Sequence, residues 1–253
     1  MIRIIQNLEP LFEVVDHALP DTLFVFDVDF VIAMPGNPFL QAATQRDLSR
    51  YVDGVLQGLS PEEVEICYTL MSRDPMAQLV DPAFLDLMAL IYKKRHRAIA
   101  LTAILAGTWQ KLDSVKTRYQ ALKRLGVDFS KSFPDLERWE LRELPSFLGA
   151  HPTFHRGILC SNGLHVEKGT VLHKFCSEVG WPNAVVFVDD LHFNLLSVQK
   201  VLEKERISHS LWHYTAAASL TPNSSLQAES VREHWQQLAD QARILLATEF
   251  SQK

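Results

Sequence analysis

Residues 23–32 of the chain read LFVFDVDFVI, an apolar run that leads into two acids. Leu23–Phe26 contains only large apolar residues and predicts a β-strand buried in the core. Asp27 and Asp29 follow this strand, with one apolar residue between them. An ionised carboxylate is costly to remove from water. This placement therefore indicates either a functional site or two acids that merely end the strand and cap the next turn.

Three further stretches are predicted to be strands of the same sheet. Ala98–Leu101 and Ala184–Val188 are continuous apolar runs, and Ser208–Tyr214 is a weaker candidate. Continuous apolar runs are typical of parallel strands that helices cover on both faces. Amphipathic helical patterns lie between the runs, at residues 81–97, 114–126 and 194–205. The alternation predicts an α/β fold with a doubly wound parallel sheet of the Rossmann-like type.

The segment between residues 35 and 80 interrupts this alternation. It contains a helical pattern that starts at Ser60, which is followed by a proline at the first helical position. We therefore predict a small helical cap formed by residues 35–80, inserted into a core formed by residues 1–34 and 81–253. The C-terminal tail of that core is predicted to begin as a loop and to end as a helix over residues 225–250.

Composition limits the function and the location of the protein. The 253-residue chain is 47% hydrophobic and carries a formal net charge of −5, which argues against a nucleic-acid partner. No apolar stretch reaches the roughly 18 residues of a membrane span, and acids in the N-terminal apolar run exclude a signal peptide. Three scattered cysteines favour reduced thiols. The default location is the cytoplasm, although secretion into a host cell by a non-classical signal would leave no such pattern.

Polar residues follow each of the three most regular strands. Asp27 and Asp29 follow the first, Thr102 the second, and the pair Asp189 and Asp190 the third. Ligands of open α/β sheets bind at the carboxyl ends of the strands, and side chains at i and i+2 of an extended chain point the same way. We therefore expect the acids to converge. Clustered carboxylates repel one another, so we predict that the four aspartates form a site for Mg²⁺, which prefers oxygen ligands.

Such a cluster suits phosphoryl transfer. One carboxylate attacks phosphorus and becomes an aspartyl phosphate, while a second carries protons to the leaving oxygen and from the attacking water. A hydroxyl and an ammonium group hold the phosphate oxygens. Thr102 is the candidate hydroxyl, and Lys168 is the candidate ammonium group, with Lys174 as its competitor.

These motifs resemble those of the haloacid dehalogenase-like (HAD) superfamily. DVDFV starting at Asp27, Thr102 after IAL, Lys168, and the acids ending VVFVDD occur in the order of the four superfamily motifs. The resemblance implies a HAD-like phosphatase in which Asp27 is the nucleophile and Asp29 the acid/base. It also implies that Asp27, the backbone carbonyl of Asp29, and Asp190 hold Mg²⁺, while Thr102 and Lys168 hold the phosphate.

Two positions depart from the superfamily pattern. Val31 stands where many members place Thr, which removes one helper hydroxyl. Asn194 stands where a further acid would strengthen the metal site, which therefore depends on Asp190 and Asp189.

Longer stretches resemble one poorly characterised branch of the superfamily, namely RYQALKRLGVDFS, RGILCSNG, EKGTVLHKF and VVFVDDLHFNLLSV. The similarity extends from about Asn7 to Thr215. That branch occurs in intracellular bacteria, and some of its members are secreted effectors that act as phosphotyrosine phosphatases. The resemblance implies that the substrate is a phosphorylated small molecule or a phosphoprotein, with protein phosphotyrosine as one candidate.

Two other functions fit parts of the sequence. A HAD-like scaffold could serve for binding, with weak or no hydrolysis, although the intact acids argue against this. The stretch CYTLMSR, from Cys67 to Arg73, has the Cys-x₅-Arg spacing of cysteine-dependent phosphatases. It contains no glycine and continues a helical pattern, which favours a buried and unreactive thiol.

Overall fold

The computed structural model describes residues 1–45, 47–109, 111–219 and 226–250. The strands in these residues are β1 (Ile2–Ile5), β2 (Thr22–Phe26), β3 (Ala33–Met34), β4 (Gln78–Leu79), β5 (Arg97–Thr102), β6 (Thr108–Trp109), β7 (Leu112–Asp113), β8 (Arg138–Glu140), β9 (Thr153–His155), β10 (Ile158–Cys160), β11 (Ala184–Asp189) and β12 (Ser208–Tyr214). The α-helices are α1 (Glu9–Asp16), α2 (Pro38–Gln41), α3 (Ser49–Leu56), α4 (Pro61–Met71), α5 (Phe84–Lys93), α6 (Ser114–Arg124), α7 (Lys168–Val179), α8 (His192–Lys204), α9 (Ala216–Ser219) and α10 (Ala228–Phe250). Short 3₁₀ turns lie at Ala42–Thr44, Ser130–Ser132 and Gly163–His165.

A central sheet of eight strands organises the described chain, in the order β1-β12-β11-β2-β5-β10-β9-β8. Each pair from β1 to β10 is parallel. The four predicted strands are confirmed as parts of β2, β5, β11 and β12, and so is the α/β class with its mostly parallel sheet.

Part of the sheet lies outside the sequence-based prediction. β9 and β8 extend the sheet in the antiparallel direction, and β1 forms the opposite edge. β8 and β9 contain three residues each and β1 four, and such short segments give too few positions for an alternating pattern to stand out.

Helices cover both faces of the sheet, as predicted. Phe24 and Phe26 of β2 belong to an apolar cluster that includes buried residues of α1 and α5. Their neighbours Leu23 and Val25 point to the opposite face and pack in a second cluster with residues of α7 and α8. Because both faces are apolar and covered, polar groups at the carboxyl ends of the central strands define the edge where a ligand would bind.

The insertion starts and ends at a short antiparallel pair of strands. β3 leads into it and β4 leads out, with Ala33 opposite Leu79. The predicted helix is confirmed as α4, where the Ser60 hydroxyl accepts from the Glu63 amide at 3.2 Å. The Glu63 carboxylate in turn accepts from the Ser60 amide at 2.8 Å, which completes a capping box.

The C-terminal helix α10 packs on α2, α3 and α4 of the insertion. Trp235 is fully buried there and donates from its indole Nε1 to the backbone oxygen of Phe39 at 2.9 Å. The predicted C-terminal helix is thus present, and its contacts extend the cap, although the sequence-based division groups it with the core. The loop predicted to start at Ala216 begins instead with the short helix α9, and the rest of it, residues 220–224, lies outside the described residues.

Within the described residues, no helix is both long enough and apolar enough to cross a membrane.

Candidate functional site

The acids at the ends of β2 and β11 meet because these two strands are neighbours. Phe26 pairs with Val188 at the last position of the ladder, and the Asp27 amide donates to the Val188 carbonyl at 2.9 Å. Asp27 and Asp189 therefore leave the sheet side by side. Carboxylate oxygens of Asp27, Asp189 and Asp190 all lie within 4.8 Å of one another, so these three residues could hold a metal ion.

The chain turns sharply after Asp27, and the turn is built by backbone hydrogen bonds. The Val28 carbonyl accepts from the amides of Ile32 and Ala33, at 2.9 Å each. Phe30 adopts a left-handed conformation with φ of 63°, and its amide donates to the Ala33 carbonyl at 2.8 Å. The extended conformation of β2 thus ends at Phe26. Because side chains at i and i+2 point the same way only in an extended chain, Asp29 need not point in the direction of Asp27.

Asp29 faces a different partner from Asp27. Nη2 of Arg118 in α6 donates to both Asp29 oxygens, at 3.0 and 2.8 Å, and the Thr102 hydroxyl lies 3.4 Å from Oδ2. The Asp29 carboxylate is not among the three that form the metal-competent group. The structure therefore brings together Asp27, Asp189 and Asp190, and it places the Asp29 carboxylate against Arg118 and Thr102.

Lys168 is the cation at the centre of the aspartate cluster. Its side chain is 2% exposed, and Nζ lies 2.7 Å from Asp27 Oδ1 and 2.8 Å from Asp189 Oδ2. Lys174, the competing candidate, lies on the outer side of the same helix and pairs with Glu178 at 2.7 Å. Lys168 is the first residue of α7, and its side chain points inward to the two aspartates.

Burial and charge act together on the protonation of the cluster. Burial raises the pKa of Asp27 to about 7, with Lys168 opposing the rise and Asp189 adding to it. Burial also raises the pKa of Asp190, which feels the charges of Asp27 and Asp189. For Lys168, burial favours the neutral amine, but the two carboxylates outweigh it and raise the pKa of the ammonium group. When all three carboxylates are ionised, they exceed the one ammonium group by two negative charges, which a divalent cation would balance.

The two acids at the end of β11 have different surroundings. Asp189 is fully buried, and its Oδ1 accepts from the Leu191 amide at 2.8 Å and from Asn194 Nδ2 at 3.0 Å. Asp190 is half-buried, and only its backbone oxygen is held, by His213 Nε2 at 2.8 Å. In the described residues no other residue donates a hydrogen bond to the Asp190 carboxylate, whereas two donors occupy that of Asp189, so Asp190 is better placed to bind a metal. Asn194 acts here by orienting Asp189.

Sequence reasoning missed Arg118. Its side chain is 4% exposed, although it carries a full charge. The signal was available: Ser114, Val115, Arg118 and Leu122 form the buried face of α6, at the i, i+4 spacing of one helical stripe. A charged residue on the apolar face of an amphipathic helix indicates a buried ionic partner.

The cysteine-phosphatase alternative predicts a reactive thiolate at Cys67, and the surroundings of this residue do not favour one. Cys67 is fully buried within α4, and burial raises its pKa to about 12. Burial likewise raises the pKa of Cys160 and Cys176 to about 12. A phosphate-binding loop around Cys67 is absent, since the residues before and after it are helical.

We expect all three cysteines to resist alkylation in the folded protein. At pH 8 a thiol with a pKa of about 12 is almost entirely protonated, and iodoacetamide reacts with the thiolate. Mass spectrometry after exposure to iodoacetamide should find no modified cysteine in the native protein and three in urea. Rapid native modification at Cys67 would contradict the buried-thiol assignment.

The chain matches, over residues 4–251, the family described as "Protein of unknown function (DUF2608)", and it belongs to that family. An uncharacterized protein of Rickettsia bellii is 27% identical over 151 residues, which cover 57% of this chain and 51% of the relative. An uncharacterized protein of Rickettsia felis is 32% identical over 89 residues, which cover 35% of this chain and 28% of the relative. The chain thus spans about half, or less, of the length of these relatives. No solved structure matches it significantly.

Proposed function

We propose that this protein is a Mg²⁺-dependent phosphohydrolase of the HAD-like type, acting on a phosphomonoester through an aspartyl phosphate on Asp27. The observation that carries the proposal is the meeting of Asp27, Asp189, Asp190 and Lys168 at one point on the carboxyl edge of the sheet. A strand-end carboxylate beside a buried lysine and further acids is the set of groups that this chemistry requires.

The donor set suits Mg²⁺. Asp27 and Asp190 would hold it, while Asp189 contacts Lys168 and Asn194. When all three carboxylates are ionised, two of their negative charges are not compensated by Lys168. When bound, Mg²⁺ would neutralise this charge and attract the phosphate oxygens.

The residues of the chain then perform two displacements. An Asp27 oxygen attacks phosphorus as the bond from phosphorus to the leaving oxygen breaks, and Asp29 gives that oxygen a proton. Asp29 next takes a proton from water, whose oxygen attacks the phosphoryl group and releases phosphate from Asp27. Lys168 compensates the charge of Asp27 and the phosphate throughout. Asp29 lies against Arg118 in this structure, so its role requires the carboxylate to rotate towards Asp27.

The ion pair between Asp29 and Arg118 also favours a second candidate function. An acid/base held by a buried guanidinium suits a scaffold that binds phosphate or a partner without turnover. Hydrolysis of p-nitrophenyl phosphate separates the two functions, because the scaffold predicts no Mg²⁺-dependent signal above background.

We expect hydrolysis of p-nitrophenyl phosphate to stop in EDTA and to return with added Mg²⁺. Asp190→Asn should raise the Mg²⁺ concentration for half-maximal activity at least about tenfold, since even changes outside the metal ligands have effects of that size. Asp86→Asn, an exposed acid on α5, is the matched control and should leave the Mg²⁺ dependence unchanged. Activity that persists in EDTA would contradict the metal requirement.

The substrate class follows from resemblance alone. We propose a phosphorylated small molecule or a phosphoprotein as the substrate, with protein phosphotyrosine as one candidate. The proposed location is the cytoplasm, with secretion into a host cell as the alternative. Rates on a panel of phosphorylated peptides, sugars and nucleotides would rank these substrates.

A further inference from the structure

Arg73 is a half-buried cation with no acidic partner in the described residues. It lies two residues after the end of α4, on the cap. Its Nη2 donates to the Ser114 hydroxyl at 3.3 Å, and its buried Nε has no hydrogen-bond acceptor. Burial lowers the pKa of this guanidinium, and no neighbouring carboxylate acts against the shift.

Two more deeply buried cations in the described part of the chain do have acidic partners. Arg118 is paired with Asp29, and Lys168 is paired with Asp27 and Asp189. Burial of a charge is costly unless an opposite charge and hydrogen bonds compensate it. Arg73 lacks that compensation, so an anion supplied by a ligand would complete its surroundings.

Arg73 lies beside the loop that follows the phosphate-binding candidate Thr102. One helical turn before Arg73, the Thr69 hydroxyl of α4 accepts from the amide of Leu105 in that loop at 3.3 Å. The Ser114 amide donates to the carbonyl of Gly107, at the end of the same loop, at 2.9 Å. The guanidinium thus contacts Ser114 at the start of α6, and both α4 and the start of α6 are hydrogen-bonded to the loop of residues 103–107.

Arg73 is also close to the residue that holds Asp29. Ser114 and Arg118 are four residues apart in α6, so their side chains lie on one face, with Cβ atoms about 5–6 Å apart. Arg118 Nη2 binds Asp29, while its buried Nε has no acceptor. Arg73 is thus connected to Asp29 through Ser114 and Arg118, which are one helical turn apart in α6.

We propose that Arg73, with Ser114, forms a second anion-binding subsite, and that the substrate carries a carboxylate or a second phosphoryl group in addition to its scissile phosphate. The inference rests on the proposed function. A guanidinium with free donors binds either oxyanion through two parallel hydrogen bonds. The subsite would thus select doubly charged substrates over simple alkyl or aryl phosphates.

Uncleavable phosphonates test the subsite without turnover. Isothermal titration calorimetry in Mg²⁺ would compare alkylphosphonates with ω-carboxyalkylphosphonates and alkane bisphosphonates of two to six carbons. We expect at least one doubly charged ligand to bind ten times more tightly than the matching alkylphosphonate. The carboxylate and bisphosphonate arms tell which second anion the subsite prefers.

Variants assign the preference to Arg73. Arg73→Met should abolish the tenfold preference, and Arg73→Lys, which keeps the charge, should retain part of it. Arg50→Met, which removes an exposed arginine of α3 on the same cap, should retain all of it. Circular dichroism melting would verify that each variant is folded.

The possible outcomes separate the subsite from the proposed function. Hydrolysis of p-nitrophenyl phosphate with no preference at any chain length would overturn the subsite and leave the phosphatase. A preference that depends on Arg73, with no hydrolysis of p-nitrophenyl phosphate or of the panel of phosphorylated peptides, sugars and nucleotides, would support the subsite and overturn the phosphatase. A preference that survives Arg73→Met, or no phosphonate binding at all, would also overturn the subsite.

Discussion

Asp27→Asn is expected to lower kcat for p-nitrophenyl phosphate by at least about 10³-fold, because the amide cannot attack phosphorus as a carboxylate does. The substitution keeps the size of the side chain and the acceptor for the Val28 amide, which lies 2.7 Å from Oδ1. A loss of activity can therefore be assigned to the missing nucleophile rather than to a changed fold. Steady-state kinetics in saturating Mg²⁺ measure the effect.

A phosphate mimic checks the same assignment independently of turnover. Beryllium trifluoride should form its adduct on Asp27 in the wild type and form none in Asp27→Asn. Electron density for the adduct on another residue, or a rate within tenfold of the wild type in Asp27→Asn, would exclude Asp27 as the nucleophile.

The stability of Asp27→Asn in EDTA, compared with that of the wild type, tests whether burial raises the pKa of Asp27. Burial raises the pKa of Asp27 to about 7, whereas an unfolded Asp has a pKa of about 3.9. The stability that this group contributes is thus fully present below about pH 4 and is lost as the pH rises through about 7. Urea unfolding at pH 4, 5.5 and 7 measures this effect. The free energy of unfolding of Asp27→Asn should increase relative to that of the wild type as the pH rises. A constant difference would contradict the raised pKa.

Lys168→Met is expected to destabilise the folded protein by about 3–5 kcal/mol in EDTA, the cost of removing one partner of a buried ion pair. The ammonium group is 2% exposed and contacts Asp27 and Asp189, which are 7% and 0% exposed at their side chains. Without it, adjacent carboxylates would be buried with no cation between them. Urea denaturation monitored by circular dichroism measures the loss.

Lys174→Met on the same helix is the matched control. Its ammonium group pairs at the surface with Glu178, so its removal should cost less than about 1 kcal/mol. The double variant Asp27→Asn/Lys168→Met should be more stable than Lys168→Met alone, because one of the unpaired carboxylates is gone. Equal losses in the two lysine variants would mean that the cluster does not depend on Lys168.

Much of the fold and part of the site could be predicted from the sequence because their signals are local. Apolar runs identify buried strands. Because the carboxyl ends of parallel strands lie at one edge of the sheet, the sequence predicts that Asp27 and Asp189 are close together. The sequence favours Lys168 over Lys174 because Gly169 follows it and its distance along the chain from Asp189 fits the motif pattern, and the structure places it between Asp27 and Asp189. The short strands β1, β8 and β9 carried too little pattern to be found.

Three features were determined by the sequence itself: the α/β class, the polar residues that follow the central strands, and the helix α4 with its N-terminal cap. Each depends on burial preference or backbone conformation within a few residues of the chain. The tertiary structure alone decided which charges meet. Asp29 and Arg118 are 89 residues apart in the chain, and Arg73 and Ser114 are 41 apart. The local sequence around one residue of such a pair does not identify its partner, because the partner of a buried charge depends on which helix packs against which loop. For the same reason, only the packed chain shows that α10 lies on α2, α3 and α4, and that Arg73 has no acidic partner among the described residues.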